Sequence, residues 1–171
     1  MKKTLLALMV MGVSASAHAD SWLYAGIQGG KSNLESESST AYGLHVGTGI
    51  LPFIGLEAGY FNHGSIDLEA RNTSGSADFS SFYAAAKPSI DFGPLHIYAK
   101  GGINTYNVEY TGSLSSISND SGVGLMYGVG AEYNIFPGLT VGASYQSFGF
   151  EIDGSGNNVD SFTVNATLHF L

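Results

Sequence analysis

The sequence predicts an all-β protein, an eight-stranded antiparallel up-and-down transmembrane β-barrel, and three observations carry that prediction. The first is strict alternation over Gly122–Tyr145, where Val123, Leu125, Tyr127, Val129, Ala131, Tyr133 and Ile135 share one parity. After Phe136-Pro137-Gly138 the pattern resumes with Leu139, Val141, Ala143 and Tyr145. A period of two means strand, and the Pro-Gly break makes the pair a hairpin. Each arm is about ten residues or more, the length a tilted strand needs to cross a bilayer. The second observation is a repeat: Leu51-Pro52-Phe53, Phe92-Gly93-Pro94 and Phe136-Pro137-Gly138 recur at similar spacing, each followed by an apolar residue that opens a strand. Three like turns place all three connections at one end of the molecule. The third is the distribution of aromatics. Measured from the turns, Tyr42, Tyr60, Phe82, Tyr127 and Tyr145 fall at a far level, while Phe53, Phe92, Tyr133, Phe136 and Phe170 gather near the turns. Two aromatic girdles around an aliphatic band are the pattern of a membrane barrel.

In chain order, residues 1–19 read as a signal peptide. Met1-Lys2-Lys3 is basic, Thr4 to Val13 is mostly apolar, and Ala17-His18-Ala19 is a small-x-small site, so cleavage is expected before Asp20. Residues 20–171 are expected to form the barrel domain. Its eight strands are predicted at Trp22–Lys31, Ala41–Leu51, Ile54–Asn62, Asp78–Ile90, Leu95–Glu109, Gly122–Ile135, Leu139–Phe150 and Asp160–Phe170. The stretches Asn33 to Thr40, His63 to Ala77, Thr111 to Ser121 and Glu151 to Val159 are polar and aperiodic, and are expected to be loops at the far end.

Parity alone does not say which face meets lipid, because a soluble carrier barrel would turn the apolar set inward and cover its exterior with charge. Here the other parity is Gly, Ser, Thr, Asn and Tyr, too bare for a water-facing surface. The apolar set is therefore expected to face lipid. It includes Leu23, Ile27, Leu44, Val46, Leu56, Ala58, Ala84, Ala86, Ile97, Ile103, Val164, Leu168 and the Val123 and Leu139 series.

Four charges lie well inside strands on the inward parity: Glu57, Lys87, Lys100 and Glu132. They fall on four consecutive strands at similar distances from the prolines. Charges in a narrow lumen are costly unless paired, and two acids against two bases balance. A structural salt-bridge cluster plugging the barrel is expected, with Tyr24, Tyr83, Tyr98 and Tyr106 on the same parity helping to fill it.

Composition sets the remaining bounds. Once Lys2 and Lys3 are removed, four basic residues face 14 acidic ones, which disfavours nucleic acid as a partner. No cysteine is present, so neither a disulfide nor a lipidated cysteine is available. Glu35, Glu37, Asp67, Glu69, Asp78, Glu109, Asp120, Glu151, Asp153 and Asp160 concentrate negative charge at the far end, against Lys31 and Arg71.

Trp22-Leu23-Tyr24-Ala25-Gly26, the repeated Gly-x-Gly strands, the proline turns and the acid–base quartet together resemble the OmpA-like and OmpX-like eight-stranded outer-membrane barrels. The resemblance spans the whole mature chain. It implies a Gram-negative outer membrane, surroundings of membrane lipid and lipopolysaccharide, insertion by the barrel-assembly machinery, and surface-exposed loops. A monomer is expected, with adhesion or a host ligand as the family's analogy for those loops. No peptidoglycan-binding domain follows the barrel, so wall tethering is not carried over.

The histidines are the candidates for chemistry. His45, His96 and His169 take the inward parity on different strands and read as isolated structural residues. His63-Gly64-Ser65 resembles the His-x-Ser element of lipid A deacylases, with Ile66 where that motif has Asn, and Asp67 or Glu69 as candidate orienting acids. Glu151 and Asp153-x-Ser155-x-Asn157 have calcium-like spacing without the full twelve-residue loop, so a solvated turn explains them better. No catalytic residue, cofactor or metal site is expected. The leading expectation is a non-enzymatic surface barrel; the alternatives are a lipid A-modifying enzyme and a soluble ligand-carrying barrel.

Overall fold

The computed structural model describes residues 23–34, 37–70, 73–112, 120–152 and 155–170. The expected signal peptide, Trp22, Glu35, Arg71 and Asp153 lie outside the described residues, as do the side chains of Glu37, Asp67, Glu69, Glu109, Asp120, Glu151 and Ser155. Eight strands follow one another: β1 (Leu23–Leu34), β2 (Glu37–Leu51), β3 (Ile54–Ala70), β4 (Thr73–Phe92), β5 (Leu95–Gly112), β6 (Asp120–Phe136), β7 (Leu139–Ile152) and β8 (Ser155–Phe170). Each pairs antiparallel with its neighbours in sequence, and β1 pairs with β8 to close the barrel. Closure leaves no free edge, which is what a sheet in hydrocarbon requires.

The proline turns sit where the repeat puts them. In the second and third turns Gly93 and Gly138 take φ of 66° and 85°, a region that Cβ disfavours, so these two turns have glycine at the strained position, while the Leu51-Pro52-Phe53 turn has none. The turns also accept bonds from the adjacent hairpin: Ser89 N–H donates to Phe53 O at 3.0 Å, Asn134 N–H to Pro94 O at 2.8 Å and His169 N–H to Gly138 O at 2.8 Å. The carbonyls that a tight turn would leave open are thereby satisfied.

The far ends differ from expectation. The ladders continue to Leu34↔Glu37, Ala70↔Thr73 and Ile152↔Ser155, so most of the segments read as loops at 33–40, 63–77 and 151–159 are strand. At 111–121, β5 runs to Gly112 and β6 begins at Asp120. The 20 residues of β4 are about twice the 9–11 that a membrane-crossing strand needs. Beyond the bilayer both faces of a strand meet water, the apolar–polar period has no cause, and the segment looks like loop.

Side-chain orientation follows the alternation. Large apolar residues of the outward set are exposed, among them Leu125 at 72%, Val129 at 58% and Leu56 at 48%, while Glu57 and Lys100 on the other parity are 2% and 4% exposed. An exterior of this composition is stable against hydrocarbon and not against water. Both aromatic levels project outward as well, with Tyr60 and Phe82 in ring contact at 4.9 Å across one ladder.

Inside, an apolar cluster of Ala41, Phe61, Tyr83, Ala85, Met126 and Phe148 lies on the far side of the four charges from the turns. Phe61 and Phe148 stack with centroids 5.2 Å apart. A polar chain runs beside it: Gln146 donates to Gln28 Oε1 at 2.7 Å, and Ser144 and Thr163 hydroxyls meet at 2.9 Å.

Two adjacent glycines show how tightly the wall is drawn. A Cβ on inward-facing Gly102 would sit 2.0 Å from Ala84 O, whereas a Cβ on outward-facing Gly101 meets nothing within 4 Å. Gly102→Val is therefore expected to cost about 1–3 kcal/mol through forced strand separation, and Gly101→Val to be close to neutral. Urea midpoints of the two variants refolded in detergent check this. Equal midpoints would contradict the packing described.

Candidate functional site

The site begins with four charges on four strands. Glu57 lies on β3, Lys87 on β4, Lys100 on β5 and Glu132 on β6, each on the inward parity. The register offsets them: Glu57 is opposite Ala85, Lys87 opposite Gly55, Lys100 opposite Gly128 and Glu132 opposite His96. Strand tilt staggers the four Cα atoms along the axis, and long side chains span the difference.

Their contacts form one connected chain. Lys100 Nζ donates to Glu57 Oε1 at 2.5 Å. Lys87 Nζ stands 3.4 Å from Glu57 Oε2 and 3.6 Å from Glu132 Oε1, joining the two acids. Glu57 accepts two further bonds, from Tyr83 Oη at 2.8 Å and Tyr24 Oη at 3.2 Å. Glu132 Oε1 accepts one from Asn165 Nδ2 at 3.0 Å, and the same amide reaches Tyr98 Oη at 3.2 Å. Aromatic faces complete the surroundings, with Lys87 Nζ 4.2 Å from the Tyr98 centroid and 4.8 Å from that of Tyr24. Glu57 thus exchanges its hydration for opposite charge and two phenol donors, and the lysines exchange theirs for carboxylates and π faces. Glu132 is held through Oε1, and its buried Oε2 has no hydrogen-bond partner among the described residues.

Alternation identified all four charges and the tyrosines. It did not single out Asn165, which lies on the inward parity of β8 and needed only the pairing of β8 with β7 and β1 to be placed. Tyr106 lies apart from the quartet, at the far end of β5, and is also buried.

The histidines divide by position. His45 Nε2 meets Thr167 Oγ1 at 3.1 Å, and its ring and that of His169 lie 6.2 and 5.6 Å from the ring of Tyr24. The two share one aromatic neighbour, so they are less isolated than their sequence separation suggests. His96 Nδ1 contacts Asp91 Oδ1 across the β4–β5 ladder near the turn.

His63 does not pair with Ser65. A register shift at Asn62/Gly64, with Gly64 at φ 88°, leaves His63 buried in the barrel and Ser65 exposed. Its Nε2 instead meets Ser81 Oγ at 3.0 Å, and its Nδ1 lies 3.5 Å from Ser32 Oγ, which bonds Ser161 Oγ at 2.6 Å. A serine–histidine pair needs a third group to hold the imidazole tautomer, usually a carboxylate. Among the described residues, Ser32 occupies that place. No group of three His, Asp or Glu side chains is placed to hold a metal among the described residues, and Asn157 of the calcium-like spacing is exposed.

Comparisons with known proteins agree with this architecture. Among solved structures, the attachment invasion locus protein Ail of Yersinia pestis, crystallised with the heparin analogue sucrose octasulfate, is 16% identical with a TM-score of 0.59. The match covers 86% of this chain and 96% of Ail. Neisserial surface protein A is 15% identical over 86% of this chain and 96% of its own, with a TM-score of 0.62. The outer membrane protein OprG of Pseudomonas aeruginosa is 13% identical over 88% and 98%, with a TM-score of 0.59. At such identities the likeness is one of fold. No curated protein sequence matches the chain. The family model for the outer membrane protein beta-barrel domain matches residues 4–170, nearly the whole sequence. The chain belongs to the outer membrane beta-barrel family, whose members reside in the Gram-negative outer membrane.

Proposed function

We propose that the protein is a non-enzymatic surface barrel whose lumen is closed by the Glu57–Lys87–Lys100–Glu132 cluster and whose acidic outer end meets the exterior. The observation that carries this reading is the Glu57 carboxylate held between two lysines in the middle of the lumen. Ions that pair with each other across the axis occupy the path that a diffusing solute would take. The stacked Phe61 and Phe148 rings stand behind them.

The chain reaches the membrane after export, cleavage before Asp20 and insertion by the barrel-assembly machinery, and it functions as a monomer among outer-membrane lipids and lipopolysaccharide. Its loops serve as a structural surface, with adhesion or a host ligand as their use. The bound anion of Ail does not transfer readily. Here the far halves of the hairpins carry ten acidic residues against Lys31 and Arg71, so a polysulfated ligand would be repelled. The deacylase alternative draws on the contact between His63 and Ser81, and mass spectrometry of lipid A from cells with and without the protein separates the two. An unchanged lipid A profile is expected.

Closure of the lumen is tested by conductance. Purified protein in a planar lipid bilayer is expected to show no steady open current. A stable conductance of porin size in the wild type would rule out a closed barrel.

A further inference from the structure

At the level of the outer aromatic girdle two of the eight ladders stop: β2–β3 ends at Tyr42↔Asn62 and β6–β7 at Met126↔Phe148. The four strands themselves run on, β2 to Glu37, β3 to Ala70, β6 to Asp120 and β7 to Ile152. The other six ladders continue outward, to Leu34↔Glu37, Ala70↔Thr73, Gly75↔Gly112, Val108↔Asp120, Ile152↔Ser155 and Asn33↔Asp160. An unpaired strand edge is costly in hydrocarbon and tolerated in water, so the interruption begins where the girdle ends.

The two seams lie four strands apart on an eight-stranded ring, so they face each other across the mouth. They divide the outer end into two four-stranded units, β3–β4–β5–β6 and β7–β8–β1–β2. Chain order puts every outer connection within one unit; the connections across the seams are the turns Leu51-Pro52-Phe53 and Phe136-Pro137-Gly138 at the opposite end. Each seam is bridged by a side-chain-to-backbone bond. Ser39 Oγ donates to His63 O at 2.5 Å, and Asn104 Nδ2 to Gly149 O at 3.1 Å. Asn104 reaches Gly149 from β5 across Gly124 of β6, where a Cβ would stand 1.8 Å from that carbonyl.

Between the units lies a cleft of about 220 Å³, with Phe79, Asn104 and Tyr106 on one wall and Phe148, Phe150 and Val159 on the other. The units meet across it through rings: Phe150 lies 6.1 Å from Phe79 and 6.2 Å from Tyr106, and His63 lies 4.8 Å from Phe148. Both units are acidic by sequence. Asp67, Glu69, Asp78, Glu109 and Asp120 belong to the first with Arg71, and Glu35, Glu37, Glu151, Asp153 and Asp160 to the second with Lys31. Like charges on facing units repel, and salt screens the repulsion, with a Debye length of about 30 Å at 10 mM and about 3 Å at 1 M.

We propose that the outer end of the barrel is a clamp, whose two four-stranded units part along the opposed seams to give access to the aromatic cleft between them. The girdle, where the ladders become continuous, is the hinge, and Ser39 and Asn104 are the latches. Repulsion between the units favours the open form; the latches and ring contacts favour the closed one. This goes beyond the closed-lumen reading and leaves it standing, because the Glu57–Lys87–Lys100–Glu132 cluster lies below the hinge and stays in place when the clamp opens.

The full chain has no cysteine, so pairs of exposed positions are spin-labelled through introduced ones and their distances read by double electron–electron resonance in detergent micelles. Ser38→Cys/Ser121→Cys spans the mouth, whereas Ser65→Cys/Ser121→Cys lies within the first unit and Ser38→Cys/Asn157→Cys within the second. In low salt the pair across the mouth is expected to show a second, longer distance that recedes in high salt. Both pairs within a unit are expected to keep one distance throughout. Adding Ser39→Ala and Asn104→Ala is expected to raise the ratio of long to short distance about tenfold, the effect of two net hydrogen bonds. Folding of that variant is read from its mobility on unheated SDS gels; if it does not fold, the salt dependence with both latches intact decides. A single, salt-independent distance across the mouth would overturn the proposal. So would equal broadening of all three pairs, which is fraying of separate strand ends, or a folded latch variant with an unchanged ratio.

Discussion

Glu57→Gln is expected to lower the unfolding free energy of the refolded barrel by about 3 kcal/mol, the lower end of the range for breaking a buried ion pair. The substitution keeps the shape of the side chain and opens no cavity, so the loss isolates charge. Glu57 is the hub, since both lysines and two phenols converge on its carboxylate. Removing its charge leaves Lys100 without an acid among its described partners and Lys87 with Glu132 alone. Lys100→Met is expected to cost less, because Glu57 keeps Lys87. In the double variant Glu57→Gln/Lys100→Met one balanced pair remains, and at least half of the Glu57→Gln loss should return. The measurement is a double-mutant cycle from urea unfolding in detergent micelles. Single variants as stable as the wild type, or strictly additive losses, would mean that the four charges do not act as a network.

Val129→Arg is the second large effect, about 2–4 kcal/mol of destabilisation in a bilayer. Val129 lies on β6 between Tyr127 and Tyr133, within the aliphatic band and 58% exposed. On a protein surrounded by water an exposed Val→Arg change would be near neutral. Facing hydrocarbon, the guanidinium must either reach the headgroups or carry its desolvation. The same change at Ser121, exposed beyond the far girdle, is expected to be within about 0.5 kcal/mol of the wild type. Comparing the two in phosphatidylcholine vesicles reads the orientation of the wall directly. Equal effects would remove the case for a lipid-facing Val129.

Much of this was legible in the residues because two physical constraints act on every spanning strand. Hydrocarbon on one side and a narrow interior on the other enforce a period of two, and Val123 through Tyr145 records it on both sides of the Phe136-Pro137-Gly138 turn. The proline turns marked one end, and in two of the three Gly93 and Gly138 stand where φ is positive. The extent of β3 and β4 was hidden because their outer halves lack the periodic pattern that marks a spanning strand. Ile66 to Ala77 carries no alternation, yet the backbone ladder continues to Ala70↔Thr73.

The site divides in the same way. That Glu57, Lys87, Lys100 and Glu132 point to one interior followed from parity and charge balance, both local properties of the chain. Which acid meets which base did not, because it depends on the stagger between strands. The register carries Lys87 past Glu57 toward Glu132 and brings Asn165 from the last strand against Glu132. Likewise the shift at Asn62/Gly64 decided that His63 meets Ser81 and not its sequence neighbour Ser65. Sequence by itself determined the number of strands, the side of each that faces lipid and the identity of the buried charges, since all three are set by what each residue's own neighbours and solvent demand. Only the closed tertiary structure decided partners across the lumen, because they are fixed by shear and by one irregular residue, and neither leaves a periodic trace in the chain.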